Sequence, residues 1–402
     1  MGSPFESIVG AKHVGAPERP ELDGVPIAEI VRPGSPAEVA ACLALAASSG
    51  IALVARGGGS KRGFGNRSRA DSLVELELGR LSGAPHVDGA EGVATVPAGL
   101  RVDALEALAR VVGKTTWLPA VYPGATVGGS VAADPLAPEF SLDRRLRNDL
   151  LGLEVALPNG ALTRCGGKVV KNVTGFDLVR LYCGSLGTLG VITEVTLRLR
   201  PVPVRTHVLA RAFPSLETAL PLAVEVAREG GAVGAGLVAS GSELRLLWRL
   251  EGSEAELGEW ERRVPGTPVD EAEWTALGAL LAEGAQPWRA PGPARLRVAG
   301  RPSDTLRIWR ALAGRGDDCT PRLALPLAGV VFADADEAAL PALVALLGGQ
   351  GYALQVERCS PELKQALDVF GPEPGTLPLL RAVKSRFDPR GVLSPGRFVA
   401  RI

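Results

Sequence analysis

Residues 51–62 read IALVARGGGSKR, a β-prone apolar run that stops abruptly at three glycines and then meets two cations. The run is too short for a helix and has the composition of a buried strand, while consecutive glycines free the backbone that follows from Cβ hindrance. Before Gly50, Ser35-Pro36-Ala37-Glu38 supplies an N-cap, a proline at the first helical position and a capping-box carboxylate. A helix is expected from there to about Ser48, preceded by a strand over Ile27–Val31. Strand, helix and strand thus deliver a glycine loop, whose clustered amides form an anion nest suited to a pyrophosphate. Arg56, Lys61 and Arg62 stand beside it as counter-charge.

The loop fits no standard nucleotide pattern. G-x-G-x-x-G is absent, and Gly113-Lys114-Thr115 has Leu108 where a P-loop needs its first glycine. That tripeptide reads instead as a helix C-terminus with its usual glycine.

Working outward, strands are expected over Leu73–Leu76 and Gly92–Pro97, then a helix over Val102–Val112 with Leu105, Leu108 and Ala109 on one face. Residues 121–129, VYPGATVGG, carry too many glycines for a helix and too few charges for a solvated loop. Strands at Leu153–Leu157 and Val191–Leu199 flank a third glycine segment, GSLGTLG at 184–190. Pro201 and Pro203 end the unit. Beyond them, Ala/Leu-rich helical stretches (Ser215–Arg228, Glu254–Arg263, Asp336–Leu347) alternate with short strands (Leu244–Leu250, Arg295–Val298, Gly329–Phe332). The pattern therefore reads as α+β: an N-terminal extension at 1–25, a first α/β domain at 26–203, a second, α+β domain with an antiparallel sheet at 204–375, and a C-terminal segment at 376–402.

Equal numbers of Lys+Arg and Asp+Glu, 44 each, leave no overall positive field for nucleic acid or an anionic membrane. The five cysteines are scattered, with no C-x-x-C, which argues against a disulfide framework, a zinc ribbon or an iron–sulfur cluster in this chain. Residues 1–13, MGSPFESIVGAKH, lack the basic and apolar regions of a signal peptide and no segment has about 18 uninterrupted apolar residues, so the chain is expected in the cytoplasm, or peripheral at the inner membrane through partners only.

Together RGGGSKRGFGN, YPGATVGGSVAA, GGKVVKNVTGFDLVRLYCGSLGTLGVITEVTLRL and the tail motif FDPRGVLSPGR closely resemble FAD-linked oxidoreductases of the vanillyl-alcohol-oxidase superfamily, with its PCMH-type FAD-binding domain. The resemblance covers about residues 26–203 and the tail from about 380. It implies an FAD lying extended between two α/β subdomains. By motif match, its pyrophosphate rests on Gly57, Gly58, Gly59 and Ser60, with Arg56 and Lys61 nearby. Pro123, Gly124, Ala125, Thr126, Gly128 and Gly129 flank flavin and pyrophosphate, while Gly187, Thr188, Gly190, Val191 and Ile192 close over the cofactor. Ser60 and Tyr122 stand where some relatives attach flavin through His or Cys, so FAD is expected to be noncovalent. Leu186 and Ser394 replace a common Glu and Asn of the pattern.

Hydroxy-acid dehydrogenases of this kind carry a His-rich metal motif in the second domain, where metal and His polarise the hydroxyl and take its proton. Here the histidines are His13, His86 and His207, and none follows 207; no metal site is expected. The chain then resembles the FAD-binding E subunit of glycolate-oxidase-type complexes, which pairs with a related catalytic flavoprotein and an iron–sulfur subunit to oxidise a small 2-hydroxy acid. A self-sufficient FAD enzyme would use Tyr122, Lys168 or Lys171, the polar residues nearest the expected flavin. A scaffold subunit with vestigial flavin is the third reading.

Overall fold

The computed structural model describes all residues except 1, 82, 141–143, 168–175, 229–231, 241–242 and 286–292. The strand–helix–strand unit forms where its signals lie. Ser35 Oγ accepts from the Glu38 amide at 3.2 Å, Glu38 accepts from the Gly34 amide at 2.7 Å, and helix Pro36–Ser49 begins there. Gly50, in the left-handed region at φ 68°, ends it. Strands Val25–Val31, Leu73–Glu77 and Leu53–Arg56 run parallel in the first sheet. Leu43 and Ala46 of the helix share a core with Leu53 and Leu76 of that sheet and with Ala156 and Val191 of the next. The helix therefore joins the two sheets of the cofactor domain.

The first 25 residues are not a separate extension. Phe5 is fully buried, and Val14–Gly15 and Glu21–Leu22 pair antiparallel with Val25–Val31. Strands of two residues are too short to leave a period in the sequence, which is why none was legible.

The second sheet is antiparallel, in the order Leu162–Gly166, Leu150–Ala156, Val191–Arg198, Val93–Pro97, His86–Asp88. Helix Val102–Val111 buries Leu105 and Ala109 against it, but Leu108 is 38% exposed, so the expected apolar face is narrower. Gly113 ends this helix at φ 70°. The segment expected to be non-helical contains helix Val127–Ala133, capped by Thr126 Oγ1 accepting from Gly129 N. Its Gly128 is required by packing, because a Cβ there would sit 2.5 Å from that of Ala98.

A two-stranded sheet pairs Lys114–Thr115 with Arg200–Pro201, and the largest sheet has eight antiparallel strands: Thr267–Val269, Arg205–Phe213, Glu243–Gly252, Ala232–Ser240, Cys319–Leu325, Val330–Ala335, Ala294–Ala299, Ala353–Arg358. One face carries Leu209, Trp248, Leu296 and Val356 under helices Leu216–Arg228, Glu254–Arg263, Thr305–Ala313 and Leu340–Gly349. The other contributes Val208, Ala210, Leu247, Leu323 and Phe332 to the core of the cofactor domain. Alternate side chains of the central strands thus serve two cores.

The tail returns to the first sheet. Leu53 N donates to Val392 O and Ser394 N to Leu53 O, both at 2.8 Å, placing Leu393 parallel to Leu53 just ahead of the first glycine loop. Among the described residues no helix is long and apolar enough to cross a membrane. All five cysteines are free thiols; Cys42, Cys319 and Cys359 are buried.

Candidate functional site

The three glycine segments, distant in sequence, converge on one cleft. One lobe is lined by Gly57, Gly58, Gly59, Ser60, Lys61, Thr126 and Gly129, and the adjoining lobe by Gly128, Gly187, Gly190, Val191 and Ile192. Ala55, Gly57, Gly129, Ala132 and Leu186 line both. Small residues on every wall keep it open. The segments also fix one another: a Cβ on Gly58 would lie 1.6 Å from Gly124 O, and one on Gly57 2.0 Å from Thr126 Oγ1. The third segment docks on helix Val127–Ala133 through Gly184 N to Val131 O and Leu186 N to Ala132 O, at 2.9 and 2.8 Å. Leu186 (φ 53°) and Gly187 (φ 71°) both adopt the left-handed region there.

The chemistry of the first lobe suits a pyrophosphate. The amides of Gly58, Gly59 and Ser60 donate to no protein acceptor among the described residues, and Gly59 is left-handed at φ 70°. The Lys61 ammonium contacts Ser60 Oγ at 3.0 Å and lies 4.7 Å from the centre of the Tyr122 ring, with no acid beside it among the described residues. Burial lowers its pKa from the ordinary lysine value to about 7. A cation held out of water without an acid is stabilised by a bound anion. Ser130 Oγ, beneath Gly129, is likewise buried without a partner.

Arg56 and Arg62 do not remain free as counter-charge. Both guanidiniums pair with the carboxylate of Glu75, which is 2% exposed, leaving Lys61 as the available charge of the loop. Pro123, Gly124, Ala125 and Thr188 line neither lobe. Thr188 turns its hydroxyl to Ser185 O at 2.7 Å, while its carbonyl accepts from Lys384.

Among the catalytic candidates, Tyr122 is 4% exposed and donates to Leu136 O at 3.1 Å. Burial raises its pKa, so its phenol stays protonated. Lys168 and Lys171 lie outside the described residues. His207 is on the helix-covered face of the large sheet, 2.5 Å from Glu261, away from the glycine segments. Among the described residues no three His, Cys, Asp or Glu side chains are grouped as a metal site.

Sequence reading picked out the tail motif without the role of its Asp388 and Arg397, and it missed a second set of residues altogether. The first clasps the cleft from behind: Lys384 Nζ reaches Asp388, Thr188 O and Leu393 O at 2.6, 2.8 and 2.9 Å, and Arg397 bonds Arg62 O, Phe64 O and Asp23. The second lies on the inner face of the large sheet. There Arg297 donates to Gln355 Oε1 and stands 3.5 Å from Glu357, beside the fully buried Arg295. The charges of Glu357, Arg297 and Arg295 all act on Tyr122. The signal was present in the strand ARLRVA, where arginines alternate with apolar residues.

With this geometry in hand, residues 27–166 match the family model described as FAD binding domain. The chain is 36% identical over 203 residues to a D-lactate dehydrogenase of Archaeoglobus fulgidus, covering 50% of this chain and 45% of that protein. It is 34% identical over 172 residues to the glycolate oxidase subunit GlcE of Escherichia coli, covering 42% of this chain and 47% of that one. It spans about half the length of these curated relatives. Its fold matches p-cresol methylhydroxylase solved with substrate bound, at TM-score 0.75 and 16% identity over 98% of this chain and 95% of that one.

Proposed function

We propose that this chain is the FAD-binding subunit of a complex that oxidises a small 2-hydroxy acid to the 2-oxo acid and passes the electrons to a partner. The observation that carries the reading is the convergence of three glycine segments on one cleft with free amides and a buried Lys61 that has no acid beside it among the described residues, in a chain akin to hydroxy-acid dehydrogenases. Bound there, FAD supplies the acceptor for the substrate's hydride. The chain's own residues hold it: Gly58, Gly59, Ser60 and Lys61 at the pyrophosphate, and Gly128, Gly129, Gly187 and Gly190 along its length. Neither Ser60 nor Tyr122 offers a covalent attachment, so the cofactor is held noncovalently.

The partner reading is supported by the lack of a free general base among the described residues. Taking the hydroxyl proton near neutral pH is worth about 100- to 10,000-fold in rate. Tyr122 is protonated and committed to Leu136 O, and His207 faces the other way.

The test is anaerobic mixing of the isolated chain with D- and L-2-hydroxy acids, alone and with the flavoprotein and iron–sulfur subunits that co-purify from its host. Bleaching of the flavin in the assembled complex and not in the single chain is expected. Equally fast bleaching of the single chain would establish a self-sufficient enzyme instead.

A further inference from the structure

A second cavity lies where the two domains are joined, and cofactor binding does not account for it. The chain leaves the cofactor domain along Arg200–Pro201, which pairs with Lys114–Thr115, and enters the large sheet along Arg205–Phe213. Beside this connection is a cleft of about 760 Å³, inside the range of about 300–1,000 Å³ usual for small-ligand sites. Trp117, Arg144 and Arg200 line it from the cofactor domain, and Thr206, Arg249 and Glu251 from the large sheet. No described residue lines both this cleft and a lobe of the glycine cleft.

Two groups of opposite charge are held on its walls without being satisfied. The Arg200 guanidinium stacks on the Trp117 indole, 4.0 Å from the ring centre, and its Nη2 donates to Asp149 at 2.6 Å. Asp149 is 1% exposed, so the core fixes the guanidinium plane from behind. Nη1 of Arg200 donates to no acceptor among the described residues, and the side chain is 31% exposed on the cleft wall. Across the junction, Glu251 accepts no hydrogen bond among the described residues. Arg249 and Arg144 stand 3.7 and 3.8 Å from its carboxylate, too far for a hydrogen bond, and Arg144 lies 4.8 Å from the centre of the same Trp117 ring. Burial raises the Glu251 pKa although Arg144 and Arg249 oppose it, as expected of a carboxylate short of donors. The cleft thus offers one oriented donor and one open acceptor, linked through Trp117 and Arg144.

Charge selects the ligand class. A plain anion on Arg200 would meet Glu251 and Glu139, and a plain cation on Glu251 would meet Arg144 and Arg249, each an opposition of like charges in a half-buried site. A molecule carrying both charges satisfies both groups through charge-assisted hydrogen bonds. We propose that the junction cleft binds a small zwitterion, its carboxylate on Arg200 and its ammonium on Glu251, with Asp149 as the positioning residue of Arg200. A free amino acid and the two termini of a short peptide share this chemistry. Arg200 and Glu251 belong to different domains, so the bound ligand also ties the domains together. The site is independent of the hydroxy-acid reading and of the cofactor.

The probes are glycine and triglycine, each with its N-acetylated and C-amidated forms, titrated calorimetrically into the FAD-loaded chain with thermal midpoint and FAD content measured alongside. The wild type should bind a zwitterion and gain thermal stability, and removing either charge should weaken binding about 10- to 100-fold, the loss of a charge-assisted contact. Tighter binding of triglycine assigns the site to a peptide; glycine binding as tightly or more tightly assigns it to a free amino acid. Glu251→Gln should bind the zwitterion no better than its N-acetylated form, and Arg200→Met no better than its amide, with FAD content unchanged in both. Arg200→Met leaves Asp149 buried without its cation; where that variant does not fold, Arg200→Lys keeps the charge without the planar fork and should still weaken binding. No binding of either zwitterion by the wild type would overturn the proposal, as would equal affinity for the capped forms. An unchanged Kd in Glu251→Gln, or in the arginine variant that folds, would overturn it as well.

Discussion

Gly58→Ala adds one methyl group at the point where two glycine segments touch. Gly58 has no left-handed backbone angle, so the substitution carries no conformational penalty of that kind. The whole effect comes from contact. The new Cβ would stand 1.6 Å from the Gly124 carbonyl oxygen, and ordinary contact begins at 3.4 Å, so the segments must part by about 1.8 Å. Both partners are backbone, and neither can turn away as a side chain would. Overpacking of this kind costs about 1–3 kcal/mol. Where it is relieved by splaying the first lobe, FAD binding weakens about 5- to 150-fold. The assay is fluorescence titration of the apoprotein with FAD, with circular dichroism confirming the fold. Gly83→Ala is the control, because a Cβ there meets no heavy atom within 4 Å. FAD affinity in Gly58→Ala within twofold of wild type would refute the loop-to-loop contact and the role given to it.

Other outcomes follow from the same structure. Lys364, buried with Nζ 3.0 Å from Asp23 and 2.6 Å from Gly63 O, should lose about 3 kcal/mol of stability as Lys364→Met, the low end for a broken buried pair because Asp23 keeps Arg397; urea unfolding measures it, and a loss below about 1 kcal/mol contradicts the pairing. Gly258→Ala, on the exposed side of helix Glu254–Arg263 with no neighbour within 4 Å, should raise stability by about 0.5–1 kcal/mol in the same assay. Lys61 is held near pKa 7 in the cofactor-free chain and a pyrophosphate raises that value, so FAD binding takes up a proton above pH 7; affinity should fall as pH rises from about 7, by at most about tenfold per unit, in wild type and not in Lys61→Met, and parallel pH profiles would remove Lys61 from the phosphate site.

What the sequence disclosed was local chemistry, and what it hid was set by distant packing. Ser35 with Glu38, and Gly113 after Val111, mark helix ends through hydrogen bonds and backbone angles that their own neighbours determine. The glycine segments were legible for the same reason, and their order carried the resemblance to an FAD-binding domain. Strand Ala232–Ser240, reading AVGAGLVAS, was not legible, because its glycines answer to partners far along the chain. A Cβ on Gly236 would meet Leu277 at 2.4 Å, and one on Gly234 would meet Pro138 O at 2.5 Å. Helix Val127–Ala133 was hidden likewise, since Gly128 makes room for Ala98. In the site, Arg56 looked like a phosphate ligand until Glu75, on the neighbouring strand, was seen to take its charge.

The central claim, that the first glycine loop holds the pyrophosphate of a noncovalent FAD, is tested most directly by comparing FAD with FMN, which lacks that pyrophosphate, on the same apoprotein. Purified chain should release one intact FAD on acid treatment, and the apoprotein left behind should take up FAD with an affinity at least about 100-fold above that for FMN, the worth of two charge-assisted contacts. Equal affinity for FMN, or flavin fluorescence that stays with the chain through a denaturing gel, would contradict it.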